Sequence, residues 1–498
     1  MGKLNYLGGK HIFLLVFFSF LGTQNSFCQI SKYNIQSEVG TYLSTSGRTP
    51  FWLRTNNYGI TPLESQIVTL RSSLSKDYDS TKTSKDRLKK FGVGYGLNMV
   101  GNLGLKNQFL LPEAFVKLRV GIFEVFGGRR KEIYGLIDST LSSGSYIWSG
   151  NAMPLPKFQI SIPNYVSILG KGLISIKGNF SHGFFGNQSF VQGYYLHQKS
   201  IYGKIGKPNW KLNLLGGFNH QVQWGGFAEG LKGVETSSQN GFLPSDFNTL
   251  MSVAFPLPFV RKIFPPKIAI AYDYLNYGGN QLGSVDLAAQ LKLKKVNIFI
   301  YRQIPYELGS LFTSLVNADD GLYGVSVNFK NKTNLIHKFT IEGFHSFNQG
   351  GYRSGIARLF DIQDRHFGEL HGYLNHGQYQ DGWSYNKIGI GTPLILSDNE
   401  LKIDKPTGYF SAFNRVKSIY GACEGKFRQV DFKIRGGYSI YGKTGNAPNP
   451  TLPYQFSYAA SASFPLKNKL FLNVSQGLDA GQMLTNSNGV FVSILKKW

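Results

Sequence analysis

Long apolar runs are scarce in this 498-residue sequence. Ile12 to Leu21 is the one almost unbroken stretch, and it falls short of the about 20 residues a membrane-spanning helix needs. The next candidate, Leu250 to Phe264, is interrupted by Pro256, Pro258 and Arg261. A membrane protein with this sequence could therefore cross lipid only as a closed barrel, because open sheet edges are not tolerated there. Cysteine is nearly absent too: Cys28 and Cys423 are the only two. Acidic residues are few, 28 against 53 Lys and Arg, for a formal charge of +25.

Each shortage excludes something. An extracellular eukaryotic protein of this length usually carries several disulfides, so a bacterial envelope protein is favoured. The amino terminus agrees. Lys3 and Lys10 precede the short apolar stretch, a polar Gly22–Ser26 segment follows, and then Phe27-Cys28-Gln29. That is the layout of a signal peptide over residues 1–28, cleaved near Cys28/Gln29. Asn25-Ser26-Phe27 does not resemble a lipobox, which argues against a lipid on Cys28. Removing the leader leaves Cys423 alone and a charge of +23 (51 basic minus 28 acidic). So basic a chain suits anionic partners: phosphorylated headgroups, acidic polysaccharide or nucleic acid. The leader argues against nucleic acid.

What is abundant is aromatic and small. Aromatics make up 15% and there are 59 glycines, as expected of interfacial girdles and a crowded lumen. Two-residue alternation is widespread. Val430, Phe432, Ile434, Tyr438 and Ile440 share one face, with Asp431, Lys433, Arg435 and Ser439 on the other. Val285, Leu287, Ala289 and Leu291 alternate with Asp286, Ala288, Gln290 and Lys292. Trp210, Leu212, Leu214 and Phe218 alternate with Lys211, Asn213 and Asn219, and Phe91, Val93, Tyr95 and Leu97 with glycines. Further strand candidates are 67–76, 111–128, 172–182, 190–205, 267–276, 295–303, 321–330, 336–347, 407–421, 454–465, 468–476 and 488–498. With the poorly patterned 368–396 region the total is roughly 16–18, within the range of transmembrane antiparallel barrels. The last segment ends on Trp498 with Val490, Val492 and Ile494 in phase, although Lys496 departs from the outer-membrane terminal pattern. A large soluble all-β protein would also alternate; the leader, the terminal pattern and the lack of disulfides oppose it.

The expected organisation is a leader, a small periplasmic or lumen-filling segment over 29–66, and a barrel over 67–498. Residues 75–90 read as a loop, Pro244 to Ala254 as a short helix capped by Ser245, and 349–400 as a long loop or inward-folded segment.

Enzyme signatures are weak. Gly437 to Thr444 fits the phosphate-loop pattern literally, but lies in an alternating strand followed by Gly445–Pro450, which cannot start the required helix. No His-Glu-x-x-His or Gly-x-Ser-x-Gly occurs, and His371 and His376 stand five apart without metal-ligand spacing. A dispersed Ser/His/acid triad is not readable from sequence. Polar clusters with aromatic rings do occur, at 127–130, 181–183, 196–199, 220–226 and 375–383. Rings, amides, imidazole and guanidinium together suit sugar recognition; equally, such groups can fill a lumen and satisfy one another. Arg129, Arg130, His220, Gln223, Trp224, His376, Asp381 and Trp383 are the candidate carbohydrate-binding residues.

The same segments carry a resemblance. Pro50–Arg54 with Asn57-Tyr58-Gly59, Gly127–Arg130, Gly144-Ser145-Tyr146, Asn151–Pro156 and Ile162–Tyr165 come in order. Then follow His182-Gly183, Leu196–Lys199, His220 with Gln223–Gly226, Asp320–Gly324 and 375–385. As an ordered set from about residue 35 to 400, the chain resembles the Wzi capsule-assembly family in its Bacteroidetes-type form. The resemblance implies an outer-membrane barrel of about 18 strands, a periplasmic helical element, and a lectin-like role in holding capsular or other surface polysaccharide. It implies no catalysis and no cofactor. The amino-terminal segment is short for a helical bundle, and the charge is high for a neutral-glycan binder. The expected protein is a monomer in the outer membrane of a Gram-negative cell, in contact with its lipids and with an anionic polysaccharide. The alternatives are a porin-like channel for small anionic solutes and an outer-membrane hydrolase.

Overall fold

The computed structural model describes residues 33–78, 91–267, 270, 278–307, 317–331, 333–361, 371–402, 408–444 and 451–498. The leader and the Gly445–Pro450 turn lie outside these, as does nearly all of the strand candidate 267–276.

The alternating segments form one wall. In chain order its strands are β1 (Tyr33–Ser44), β2 (Ile67–Lys76), β3 (Phe91–Gly104), β4 (Gln108–Val120), β5 (Phe123–Arg129), β6 (Lys157–Leu169) and β7 (Ile174–Gly186). There follow β8 (Tyr194–Ile205), β9 (Leu212–Trp224), β10 (Asn280–Lys292), β11 (Val296–Tyr306), β12 (Gly321–Phe329) and β13 (Ile336–His345). A two-residue hairpin, β14 (Ser384–Tyr385) and β15 (Ile388–Gly389), stands apart from the wall. The wall resumes with β16 (Arg415–Phe427), β17 (Val430–Gly442), β18 (Tyr454–Pro465), β19 (Leu470–Gly481) and β20 (Ser487–Lys497). Each wall strand pairs with its neighbours, and β1 pairs with β20 from Gln36↔Lys497 to Ser44↔Gly489, so the 18-stranded sheet has no free edge.

The faces are reversed relative to a soluble protein. Outward positions such as Val116, Ile160, Leu214, Leu287, Ile341, Ile419 and Ile494 are exposed and apolar. Inward positions such as Glu124, Asp286, Gln303 and Glu342 are buried and polar. Only a lipid surround makes both arrangements favourable at once. Aromatic residues ring both ends: Phe91, Trp210, Phe427 and Trp498 at one, Phe158, Tyr323, Tyr438 and Tyr454 at the other. Apart from 77–90, connections at the Trp498 end are short, such as Gly121–Ile122 and Arg428–Gln429; those at the other end include the long 225–279 and 346–414 segments. By the rule that periplasmic turns are short and external loops long, Trp498 lies on the periplasmic rim. No described helix is long and apolar enough to cross a membrane.

Several boundaries differ from the sequence reading. The barrel begins at Tyr33, not at 67, because Val39 and Leu43 of β1 face outward while Glu38 and Tyr42 face in. What turns inward is the stretch after it. The helix Phe51–Arg54 buries Phe51 and Trp52, and Trp52 packs on Tyr420 at 4.9 Å between ring centroids. The 111–128 candidate is two strands joined at Gly121. β6, not foreseen as a strand, carries register shifts between Ile162 and Val166, around Pro163, which break its alternation. The helix near 244–254 begins at Phe247, and its cap is Asp246 rather than Ser245: the carboxylate accepts from Asn248 N (2.9 Å) and Thr249 N (3.2 Å). The described part of 368–396 adds no wall strand; it folds into the lumen.

Candidate functional site

The inward fold starts at β5. Gly128 adopts φ 119°, where a Cβ would lie 2.1 Å from Ala114 O, so only glycine fits the turn off the wall. Just beyond it, Arg130 bonds Glu124 and Glu132, each at 2.5 Å. Lys157, at the start of β6, reaches Glu132 at 2.8 Å and Gln198 at 3.0 Å. Burial alone would raise the Glu132 carboxyl, but Lys157 and Arg130 outweigh it and hold it at about 2. The two ends of the 130–156 segment are thus tied together by one buried ionic cluster.

From there the segment crosses the lumen to the far wall. Asp286 on β10 accepts Leu136 N (2.8 Å), Gln303 on β11 accepts Tyr146 N (2.9 Å), and Glu342 on β13 accepts Ser143 N (2.6 Å). Tyr301 OH donates to the other Glu342 oxygen (2.5 Å), and Tyr420 OH donates to Leu141 O (2.9 Å). Asp138 binds Lys338 at 2.7 Å and accepts from Ser326 at 2.6 Å. Mid-strand acids facing the lumen therefore hold backbone N–H groups that a loop buried in a barrel would otherwise leave unpaired.

Two further segments interlock with this one. Ser149 Oγ donates to Gly391 O (2.6 Å), Thr392 N to Tyr146 O (3.1 Å), and Asn151 Nδ2 to Gly389 O (3.1 Å). Tyr58 N donates to Gly150 O (2.7 Å). Phe51 N is held by Asp479 on β19 (2.9 Å), and Arg54 pairs with Glu400. Residues 45–66, 130–156 and 371–402 together form a plug bonded to opposite walls.

The eight candidate residues divide by this plug. Arg129 donates to Tyr385 OH (2.9 Å) and joins wall to β14, while Arg130 belongs to the ionic cluster, 3.9 Å above the Phe126 ring. Gln223 donates to Gly382 O (2.9 Å) and accepts from Asn280 (2.7 Å). Asp381 accepts Phe190 N at 2.5 Å. Trp383 is completely buried. His376 Nδ1 accepts from Gln378 N and Tyr379 N, both 3.2 Å, and burial holds its pKa down at about 3. Arg129, Arg130 and Gln223 tie plug to wall, Asp381 ties it to the connection between β7 and β8, and His376 and Trp383 are buried within the plug. His220 and Trp224 point the other way, out of the wall. They are nevertheless buried, because the 247–254 helix lies over them: Trp224 packs with Val222, Val253, Tyr195 and Leu250. Lys199, beside His220, fastens that helix by donating to Ala254 O at 2.5 Å. Neither Trp224 nor Trp383 offers an open ring face.

Sequence reasoning passed over Asp138, Asp286, Gln303 and Glu342. For Asp286, Gln303 and Glu342 the available signal was an acid or amide on the inward phase of a strand, in a chain poor in acids; Asp138 lies in the plug and carried no such signal. The Gly437–Thr444 segment lies on the end of β17 and its outlet, not between strand and helix. Among the described residues no cluster of His, Cys, Asp and Glu is arranged to hold a metal ion.

Below the plug the lumen opens towards the periplasmic rim. Two cavities, of about 450 Å³ and about 540 Å³, share Lys433, Ser461, Ser475 and Phe491. The upper one is bounded by the underside of the plug at Asn56, Tyr58 and Thr140.

No protein-family model matches the sequence, and no curated protein matches it. Among solved structures the chain is similar to Wzi of Escherichia coli, an outer-membrane protein involved in group 1 capsule assembly and a carbohydrate-binding β-barrel. That likeness has a TM-score of 0.56 at 14% identity and covers 99% of this chain and 89% of that one. Weaker likenesses include OccAB2 of Acinetobacter baumannii (TM-score 0.45, 10% identity, 95% and 99% covered). Another is the outer-membrane protein OprD of Pseudomonas aeruginosa (0.43, 9%, 94% of each). Closed, lipid-faced, girdled with aromatic residues and built on 18 antiparallel strands, this protein is an outer-membrane β-barrel.

Proposed function

We propose that this barrel is a noncatalytic, lectin-like protein of the Wzi capsule-assembly kind, in its Bacteroidetes-type form. As a monomer it holds anionic capsular or other surface polysaccharide at the cell. The observation that carries the reading is the plug. Asp286, Gln303 and Glu342 bind the 130–156 backbone across the lumen, which suits a rigid platform better than a conduit. The basic balance supports an acidic glycan, and Lys262, Lys267 and Lys402 are exposed at the long-loop end. Rim charges of this kind steer a polyanion towards the surface. Similarity to a carbohydrate-binding barrel supports the same reading.

The deciding experiment is deletion of the gene followed by imaging of surface polysaccharide and assay of the medium. Polymer shed into the medium supports anchoring; unchanged retention overturns it. Conductance in planar bilayers separates the porin reading, since a bridged lumen should pass little current. A serine-reactive probe checks the hydrolase reading.

A further inference from the structure

The hollow under the plug is lined unlike the rest of the lumen. We propose that it is a binding site for an acidic monosaccharide unit, or for the carboxylated end of a glycan, presented from the periplasmic side. It opens on the membrane face opposite the one where surface polysaccharide would be held, and so stands independently of the reading above.

Size admits such a ligand. The upper cavity of about 450 Å³ lies within the range of roughly 300–1,000 Å³ typical of small-molecule sites. Charge then specifies its sign. Asp138 at the upper cavity is already matched by Lys338 at 2.7 Å, and Arg71, also at the upper cavity, is matched by Glu38 of the lower one at 3.2 Å. Lys433 and Arg435, on the inward face of β17, are not matched in this way. Lys433 Nζ donates to Thr140 O (3.1 Å), and Arg435 donates to Trp52 O (2.6 Å) and to the Tyr420 side chain. Carbonyl and hydroxyl oxygens satisfy donors without cancelling charge. Glu424 stands opposite Lys433 in the ladder, and Asp431 at the mouth is taken by Lys426 at 3.5 Å. Among the described residues neither of these acids forms an ion pair with Lys433. Two cations thus face one cavity inside low-dielectric walls, where an anion is held far more strongly than at an open surface.

The remaining lining points to a sugar rather than a bare anion. Ser461 and Ser475 sit directly opposite each other on β18 and β19. Above them Asn56 Oδ1 is buried and accepts no hydrogen bond, an acceptor placed for a ligand hydroxyl. Phe491 stacks on Tyr42 at 4.2 Å, and both rings border the cavity. Because the plug closes the upper end, the site takes a single unit or a chain terminus rather than a threading polymer.

Calorimetry on the full chain in detergent micelles tests this, with sodium glucuronate, glucose and acetate as probes. Glucuronate should bind, with glucose and acetate at least ten-fold weaker. Lys433→Gln should weaken glucuronate ten-fold or more, Lys433→Arg should retain most of the affinity, and Ser461→Trp, which fills the cavity from the facing wall, should abolish binding. Heat modifiability on gels establishes that each variant is folded; if Lys433→Gln does not fold, Ser461→Trp decides. The proposal is overturned if glucuronate fails to bind the wild type or binds the folded variants unchanged. Acetate matching glucuronate would overturn the sugar assignment. Retention of surface polymer by cells carrying Ser461→Trp is scored separately, so either reading can fail alone.

Discussion

Glu132 and Lys157 meet at 2.8 Å where the plug leaves the wall and where it returns. Lys157 is buried and Glu132 largely so, and Arg130 completes the pair from the other side. Removing one member of a buried pair leaves a charge without its partner and costs about 3–5 kcal/mol. Lys157→Met should therefore lower the gel-shift melting temperature markedly. The pH dependence has a definite sign. The folded Glu132 carboxyl, near 2, lies below its unfolded value of about 4.3. Its contribution is present above about pH 4.3 and is lost as pH falls towards 2. In Lys157→Met the carboxyl rises, so acid loss should begin at higher pH. An unshifted acid limb would refute the assignment.

Glu307 titrates in the opposite sense. Burial pushes its carboxyl up to about 8, although it accepts Leu374 N at 2.7 Å. A raised carboxyl contributes stability below its unfolded value of about 4.3, and this is lost as pH rises through 8. Wild-type unfolding in micelles should become easier between about pH 4.3 and 8. Glu307→Gln, which keeps an acceptor but no charge, should flatten that limb.

Glu342 accepts from both Ser143 N and Tyr301 OH. Glu342→Ala strands two buried donors, at about 1–3 kcal/mol each, and loosens the plug from the far wall. Planar-bilayer recordings should show current steps absent from the wild type. A variant as closed as the parent would mean that Asp286 and Gln303 hold the plug unaided.

Trp383 is completely buried and Trp224 is 3% exposed. Their loss should act on stability rather than on glycan affinity. Truncating a large buried ring costs about 3–5 kcal/mol, so Trp383→Ala should melt earlier yet bind glycan as before wherever it remains folded. A selective loss of glycan binding with an unchanged melting temperature would reverse this.

Lys199 fastens the helix Phe247–Ala254 to the outside of the wall through Ala254 O. Lys199→Met keeps the aliphatic stem and deletes the donor. Limited proteolysis on intact cells should then cut within 244–267 at least several-fold faster, with the barrel itself unaffected. Equal cleavage rates would show that Trp224 and Val253 hold the helix by packing alone.

The wall was legible because alternation is local. Val285 and Asp286 differ by one position, and that alone assigns one to lipid and the other to the lumen. Ile67–Lys76 and Tyr454–Pro465 came out with their ends as expected. β6 escaped because its register shifts at Pro163, and β1 because Pro50 and Pro62, which belong to the plug, coloured the whole stretch around it. The 220–226 cluster misled for a different reason. Parity puts His220 and Trp224 on the outward face, but the helix that covers them lies some 25 residues further along the chain.

The order of residues along the chain by itself determined a lipid-faced barrel, since a two-residue period and a shortage of apolar runs leave no other way through a bilayer. Only the tertiary structure decided that the lumen is bridged, that Arg129 and Gln223 serve as ties within it, and that Trp383 is buried there. Whether a buried polar side chain meets another part of the protein or stays open to a ligand depends on contacts such as Asp286 with Leu136, 150 positions apart. No local pattern encodes a separation of that length.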